Sequence, residues 1–228
     1  MFEIIEFLSS RWPGDFLFGF SALFAIINPY GLAFIFHDRT AGLSEEERAR
    51  VAFRIALYAF GVLLVSLFVG NHILRFFGIS MPALRIAGGL VVAVTGWTML
   101  HAAPVPQGSY ATSTANFVTI QRMVFFPLTI PLTTGPGTIA TAIAIGTHRP
   151  DDLNGLFYSS IVWLVVALAV TATIYHAYRR SSAMARLFGE EGTSVVTRLS
   201  AFLLLCVGVQ IVITGVVEVV RSLTGGSA

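Results

Sequence analysis

The stretch Phe24–Asp38, FAIINPYGLAFIFHD, sets an asparagine, a proline and a glycine in the middle of an otherwise apolar run. Residues 126–146, FPLTIPLTTGPGTIATAIAIG, repeat the device, and their Pro136 sits 107 positions after Pro29. The uncharged runs around the two interruptions extend from Phe16 to His37 and from Met123 to His148. Each is long enough to cross a hydrocarbon layer of about 30 Å as a helix, which takes about 20 residues at about 1.5 Å apiece. Both interruptions fall near the centres of their runs, so the sequence predicts two membrane helices broken close to mid-membrane.

The rest of the chain supports a membrane setting. Of its 228 residues, 55% are hydrophobic and 11% charged, a balance that a water-soluble domain does not keep. Further uncharged runs cover Ile55 to Leu74, Ile86 to Gln121, Leu153 to Tyr178 and Leu199 to Val217. In the third run of the chain the apolar part is about Pro82 to His101, with Arg85 one turn inside, and AAPVPQGSYATSTANF after it reads as a polar loop. The prediction is an all-α integral membrane protein with six transmembrane helices in a single domain over 1–228.

Arg85 in ALRIAGGLVVAV and Arg198 in VTRLSAFLLLCV open the third and sixth runs and lie 113 positions apart, close to the spacing of the two prolines. The chain therefore divides into repeat 1 at about 16–101, a loop at about 102–121 and repeat 2 at about 122–220. Three helices per unit is odd, so the second unit enters the membrane from the opposite side, giving the inverted repeat found in many secondary transporters. Every one of the fourteen basic residues is arginine. Arg39, Arg48, Arg50, Arg54, Arg122, Arg179, Arg180, Arg186 and Arg198 fall on one side, and Arg11, Arg75, Arg85, Arg149 and Arg221 on the other. Arginine-rich short loops stay in the cytoplasm, which predicts both termini outside it. The N-terminus has an acidic start and no basic region before its first apolar run, so it does not read as a cleaved signal.

A proline at mid-helix removes a backbone donor and clashes with the carbonyl four residues back, and irregular backbone in hydrocarbon must line a protein-buried or watered cavity. Half-helices that start after Pro29 and Pro136 offer unpaired N–H groups and the positive end of a dipole, suited to a carboxylate. Half-helices that end before the breaks offer carbonyls, suited to an ammonium group. A zwitterion fits such a site without a charged side chain. Asn28, Thr133 and Thr134 stand at the breaks and Gln210 near the middle of the sixth span, so all four are candidates to line the site. Thr95, Thr98, Ser66 and Thr214 are read as structural hydrogen-bonders. Arg85 is read as reaching to the headgroups.

Several other chemistries are not expected. His37, His72, His101, His148 and His176 end the first five spans, on alternating faces, so no metal site is predicted. Cys206 is alone and implies no intramolecular disulfide. No nucleophile with its base and orienter, and no phosphate loop, appears, so neither an enzyme nor a cofactor is expected. A net charge of +2 without a basic aromatic patch gives no reason to expect nucleic acid. Partners are therefore the lipid bilayer and a small-molecule substrate; the sequence names no coupling ion and leaves room for a homo-oligomer. At loop level, Ser44 with Glu47 in GLSEEERAR forms a capping-box signature for the second helix, and Asp151 or Asp152 stands before the fifth.

INPYGLAFIF, FFGISMPALRIAGGLVV and PLTIPLTTGPGTI, in that order, resemble the MarC family of bacterial and archaeal inner-membrane proteins. The resemblance extends over essentially the whole chain. It implies six helices in two inverted triplets and transport of a small neutral amino acid across the inner membrane by alternating access. By the same resemblance, Asn28, Pro29, Tyr30 and Gly31 together with Thr133, Thr134, Gly135, Pro136, Gly137 and Thr138 match the substrate-binding segments. Tyr30 departs from the small aliphatic residue usual between the proline and the glycine. A membrane assembly or regulatory subunit, and then a passive channel, are the alternative readings.

Overall fold

The fold comes from a computed structural model that describes residues 2–101, 123–147 and 153–224. The loop predicted at 102–121 and the helix start at Asp151 or Asp152 lie outside these residues. The described residues form helices joined by short turns, with no strand among them. Among the described residues, five helices are long and apolar enough to cross a membrane, and a sharply bent pair brings the number to six if it counts as one span.

The first interruption is a single residue. Helix α1 (Phe2–Ile27) and helix α2 (Pro29–Arg39) meet at Asn28, whose backbone is left-handed at φ 46° and ψ 59°. Its Oδ1 accepts the Gly31 N–H at 3.3 Å, so Asn28 acts as N-cap to a helix whose first residue is proline. Helical hydrogen bonds continue on either side, from the Asn28 N–H to the Phe24 carbonyl at 2.8 Å and from the Leu32 N–H to the Asn28 carbonyl at 3.0 Å. Trp12–Arg39 accordingly still measures as one 28-residue candidate span.

The second interruption is far larger. Segment α6 (Val124–Thr133) and helix α7 (Pro136–Thr147) meet at an angle of 67°. Phe126 and Ile130 in α6 are extended, as residues before a proline tend to be, and the peptide bonds to Pro127 and Pro131 are cis. The winding is wide: the Thr134 N–H reaches back five residues to the Thr129 carbonyl at 2.8 Å. Three hydroxyls follow the same step, Thr129 donating to the Val124 carbonyl at 2.7 Å, Thr133 to Leu128 at 2.7 Å and Thr134 to Thr129 at 3.1 Å. Threonine side chains thus supply donors in a stretch where two prolines have removed them. The carbonyls expected to stand bare before this break are in part already taken.

Helices α3 (Glu45–Phe68), α4 (Gly70–Phe76), α5 (Met81–Leu100), α8 (Leu153–Arg179) and α9 (Ser181–Leu223) complete the chain. The capping box at α3 is present in both directions, the Ser44 Oγ accepting the Glu47 N–H at 3.2 Å and the Glu47 Oε2 accepting the Ser44 N–H at 3.0 Å. Ser80 caps α5 through the Ala83 N–H at 3.3 Å. Gly189, at φ 67°, breaks α9 near its start, and the apolar span proper is Ser194–Leu223.

Packing follows a clear scheme. Among the described residues α5 packs most extensively on α9, and α3 lies along α8. α2 packs on α8 and α9, while α7 packs on α3 and α5; α1 meets α8, and α6 meets α3. The α5–α9 seam is close because an added Cβ at Gly89 would stand 2.7 Å from the Gly208 carbonyl oxygen, and one at Gly208 would stand 2.7 Å from the Ala93 Cα. Only glycine allows that approach. The buried core gathers Leu23, Ile27, Phe36, Ile55, Leu63, Val166, Ile174 and Tyr178 from α1, α2, α3 and α8. By contrast, the apolar window of α9 is only 11% buried, which leaves most of its surface for lipid. Ser66, Thr95, Thr98 and Thr214 hydrogen-bond as the structural reading expects, but to carbonyls of their own helices.

Candidate functional site

The two interrupted segments line one cavity. Ile26 and Ile27, at the end of α1, face Pro131, Leu132, Thr133, Gly135, Pro136 and Thr138 across it. Val91, Val92 and Thr95 of α5 and Leu204 of α9 close the sides. Its free volume is about 20 Å³, room for about one water molecule. The walls are apolar except for Thr95, Thr133, Thr138 and main chain.

Of these hydroxyls, Thr133 donates to the Leu128 carbonyl and Thr95 to the Val91 carbonyl. Thr138, 3% exposed, makes no side-chain hydrogen bond among the described residues. It sits in the first turn of α7, where the amides of Gly137 and Thr138 have no carbonyl one turn back in their own helix. The arrangement places a helix N-terminus with its dipole and one uncommitted hydroxyl beside a small chamber, a combination that suits an anionic group of modest size.

The remaining sequence-predicted residues are distributed unevenly. Asn28, Pro29 and Gly31 lie directly beside the cavity-lining Ile27 without lining the cavity themselves. Gly31 is held against α9, since an added Cβ would stand 2.5 Å from the Ser200 Oγ. Thr134 and Gly137 are buried in the second break, Gly137 with its α-carbon turned toward Val92 and Ile211. Tyr30 is not brought in: it is 41% exposed, with its ring 6.3 Å from that of Phe24. Nor is Gln210, which is exposed on α9. Gly208 faces α5, and two residues of helix turn the next candidate by about 200°, away from the bundle.

A family model described as "MarC family integral membrane protein" matches residues 15–220. The chain belongs to the MarC family. It is 34% identical to the UPF0056 inner membrane protein MarC of Citrobacter koseri over 213 residues, covering 90% of this chain and 95% of that one. The proteins of the same name from Salmonella typhimurium and Escherichia coli O1:K1 / APEC are each 32% identical, over 211 and 209 residues, at the same coverage. No solved structure matches the chain significantly.

Two polar ties join other parts of the bundle. Arg48, only 5% exposed, donates from Nε to the Thr40 Oγ1 at 3.0 Å and from Nη2 to the Thr40 carbonyl at 2.9 Å and the Leu43 carbonyl at 3.4 Å. Its Nη1 bonds the Ser182 Oγ, joining the α2–α3 turn to the start of α9. No carboxylate pairs with it among the described residues. Toward the other end of α5 and α9, Arg85 is ion-paired with Glu218, so it does not simply reach outward as its position in the sequence led one to expect. An Arg in an arginine-rich loop carries no sign that it will be buried, and nothing in the two separate motifs brings Arg85 and Glu218 together. Tyr178 carries no signal in the sequence, and for Thr129 the repeated threonines of LTIPLTT are the one signal available.

Proposed function

We propose that the protein is a secondary transporter of the prokaryotic inner membrane that moves a small neutral amino acid, or a similar small zwitterion, by alternating exposure of the cavity between α1 and α7. The observation that carries the reading is that two interrupted helical segments, far apart in sequence, line one chamber beside an α7 N-terminus with free amides and an uncommitted Thr138 hydroxyl. A carboxylate is the ligand group those donors suit. At about 20 Å³ the chamber as it stands is smaller than any amino acid, so loading requires the walls to move apart, as alternating access demands.

The inverted repeat draws support from the packing scheme. If α1–α2, α3–α4 and α5 correspond to α6–α7, α8 and α9, then the contact of α2 with α9 maps onto that of α7 with α5, and α2 with α8 onto α7 with α3. The contact of α1 with α8 maps onto that of α6 with α3, and the α3–α8 and α5–α9 pairs map onto themselves. A pseudo-twofold axis in the membrane plane generates this pattern. In that frame Asn28 and Thr134–Gly135 mark corresponding mid-membrane breaks, and the arginine distribution puts both termini outside the cytoplasm. No enzymatic chemistry enters this reading.

The test is a thermal-shift screen of the purified protein followed by uptake into liposomes. A ligand that binds the folded state raises its unfolding temperature by mass action. Glycine and alanine should raise it, while glycinamide, lacking the carboxylate, and leucine, too large, should not. Saturable uptake of the stabilising compound completes the case. An unfolding temperature unmoved by every neutral amino acid, with no uptake, would overturn it in favour of a non-transporting membrane subunit.

A further inference from the structure

Tyr178, near the end of α8, is completely buried and touches both interrupted segments at once. Its ring stacks on Phe36 of α2, centroids 4.5 Å apart and planes 12° from parallel. Its hydroxyl lies 2.9 Å from the Thr133 Oγ1, itself 1% exposed. The direction of that bond follows from proton count. Thr133 has one hydroxyl proton, and it is given to the Leu128 carbonyl at 2.7 Å. Thr133 is therefore the acceptor and Tyr178 the donor, forming a chain from Tyr178 O–H through Thr133 O–H to the Leu128 carbonyl.

This chain ends where the geometry of the site is decided. Thr133 is the last residue of α6; Thr134 and Gly135 follow, and Pro136 begins α7. The direction of the α7 N-terminus depends on where that turn is fixed, and the turn contains two residues outside any helix. Prolines 127 and 131 leave α6 with few backbone bonds of its own, so an anchor from a regular helix has unusual leverage. α8 is such a helix, and Tyr178 is the side chain that connects it to the turn. Through Phe36 the same ring also meets α2, the partner half of the site.

We propose that Tyr178 is a positioning residue: its hydrogen bond to Thr133 fixes the turn that aims the first amides of α7 into the cavity, and its stack on Phe36 sets that turn relative to α2. The inference rests on the transport reading for its kinetic consequence, but not for its structural one.

The experiment uses the full chain, as wild type, Tyr178→Phe and Thr133→Val. Tyr178→Phe keeps the ring stack and removes only the hydroxyl. Hydrogen exchange followed by mass spectrometry in detergent should show faster exchange in peptides spanning 124–140, with peptides from α5 and α9 unchanged. In liposomes the KM for glycine should rise about five- to tenfold, the size of one hydrogen bond, with the maximal rate less affected. The double variant should be no worse than Thr133→Val alone, because both changes cut one chain. Unaltered exchange at 124–140 in Tyr178→Phe overturns the proposal whether or not the protein transports. Local exchange that rises in a protein whose wild type takes up no amino acid supports the positioning role and sinks the transport reading instead. Equal, additive effects of the two variants on KM would also overturn it, since they would place Tyr178 and Thr133 in separate roles.

Discussion

Replacing Arg48 by methionine should destabilise the protein by about 2–4 kcal/mol, and the size follows from its bonds. Arg48 is 5% exposed and spends its donors on neutral partners: Thr40 Oγ1 at 3.0 Å, the Thr40 carbonyl at 2.9 Å, the Leu43 carbonyl at 3.4 Å and the Ser182 hydroxyl. A hydrogen bond from a charged donor contributes roughly 1.5–3 kcal/mol, and at least two of these have good length. Against this stands the relief of no longer burying a guanidinium, which offsets several kcal/mol. The Thr40 carbonyl also keeps a second donor, the Leu43 N–H at 3.0 Å, so it is not left bare. The loss falls mainly on Ser182, the Leu43 carbonyl and the tie between the α2–α3 turn and the start of α9.

In a chain of this size the change corresponds to a drop of about 5–15 °C in unfolding temperature, read from loss of helical circular dichroism in detergent. Arg48→Lys should fall between wild type and methionine, because an ammonium keeps the charge but lacks the planar fork that reaches Thr40 and Ser182 together. Glu45→Gln serves as control. Its partner Arg186 is 3.0 Å away, but both side chains are about 70% exposed, and such pairs contribute about 0.5 kcal/mol or less. A methionine variant that melts within about 2 °C of wild type, or a lysine variant indistinguishable from it, would refute the idea that this guanidinium holds the two loops together.

Asn28→Gly should be nearly neutral in stability, since glycine accepts the left-handed torsions and loses only the cap, whereas Asn28→Ala should cost about 1–3 kcal/mol for both; comparable melting of the two variants would show that neither torsion nor cap matters. Charge reversal at Arg85 or at Glu218 alone should lower the melting temperature, and the exchange Arg85→Glu with Glu218→Arg should restore most of it, measured as a double-mutant cycle. Gly208→Val should force α5 and α9 apart at a cost of about 3 kcal/mol or more, because an added Cβ already stands 2.7 Å from the Ala93 Cα and 2.8 Å from the Gly89 carbonyl oxygen; a melting curve matching wild type would mean the seam is looser than its glycines indicate.

How much of this was legible beforehand depends on the range of the interaction. Hydrophobic runs, caps and prolines act over a few residues, and they located α3 and its Ser44–Glu47 capping box and the start of α5 to within a residue, and they pointed to Asn28 and Thr134, where the backbone leaves helical torsions. What failed was anything that needed a helix face or a partner from another segment. Gln210 stands at the right depth in the sequence but on the wrong side of α9, because Gly89, Gly96 and Gly208 fix which side faces α5. Tyr30 lies between two buried residues, Pro29 and Gly31, and still points outward. Arg85 and Glu218 sit more than a hundred residues apart, so only the close α5–α9 seam makes them neighbours. Thr133 was legible as a residue at the break but not as one whose hydroxyl was already committed, since its partners are a carbonyl five residues back and a tyrosine on α8.

The two interruptions also turn out to be unlike each other, and under the proposed function the difference bears on which end of a ligand is held. In hydrocarbon a bare carbonyl and a bare amide are both expensive, yet a protein can satisfy carbonyls cheaply with threonine and serine, which donate, while amides need an acceptor of suitable shape. Around the second break the carbonyls of Val124, Leu128 and Thr129 have been given hydroxyl donors. The first amides of α7 have been given no such side-chain acceptor: Gly135, the residue before Pro136, has no side chain to turn forward to them, and the hydroxyl of Thr134 donates backward to Thr129. At the first break the opposite choice is made, with Asn28 turning its Oδ1 forward onto the Gly31 amide. One helix start is thus capped from within and the other is left for something else to cap. Under the proposed function a ligand carboxylate beside Thr138 fills that role, which would make the anionic end of a zwitterion, more than its ammonium, the group on which binding turns.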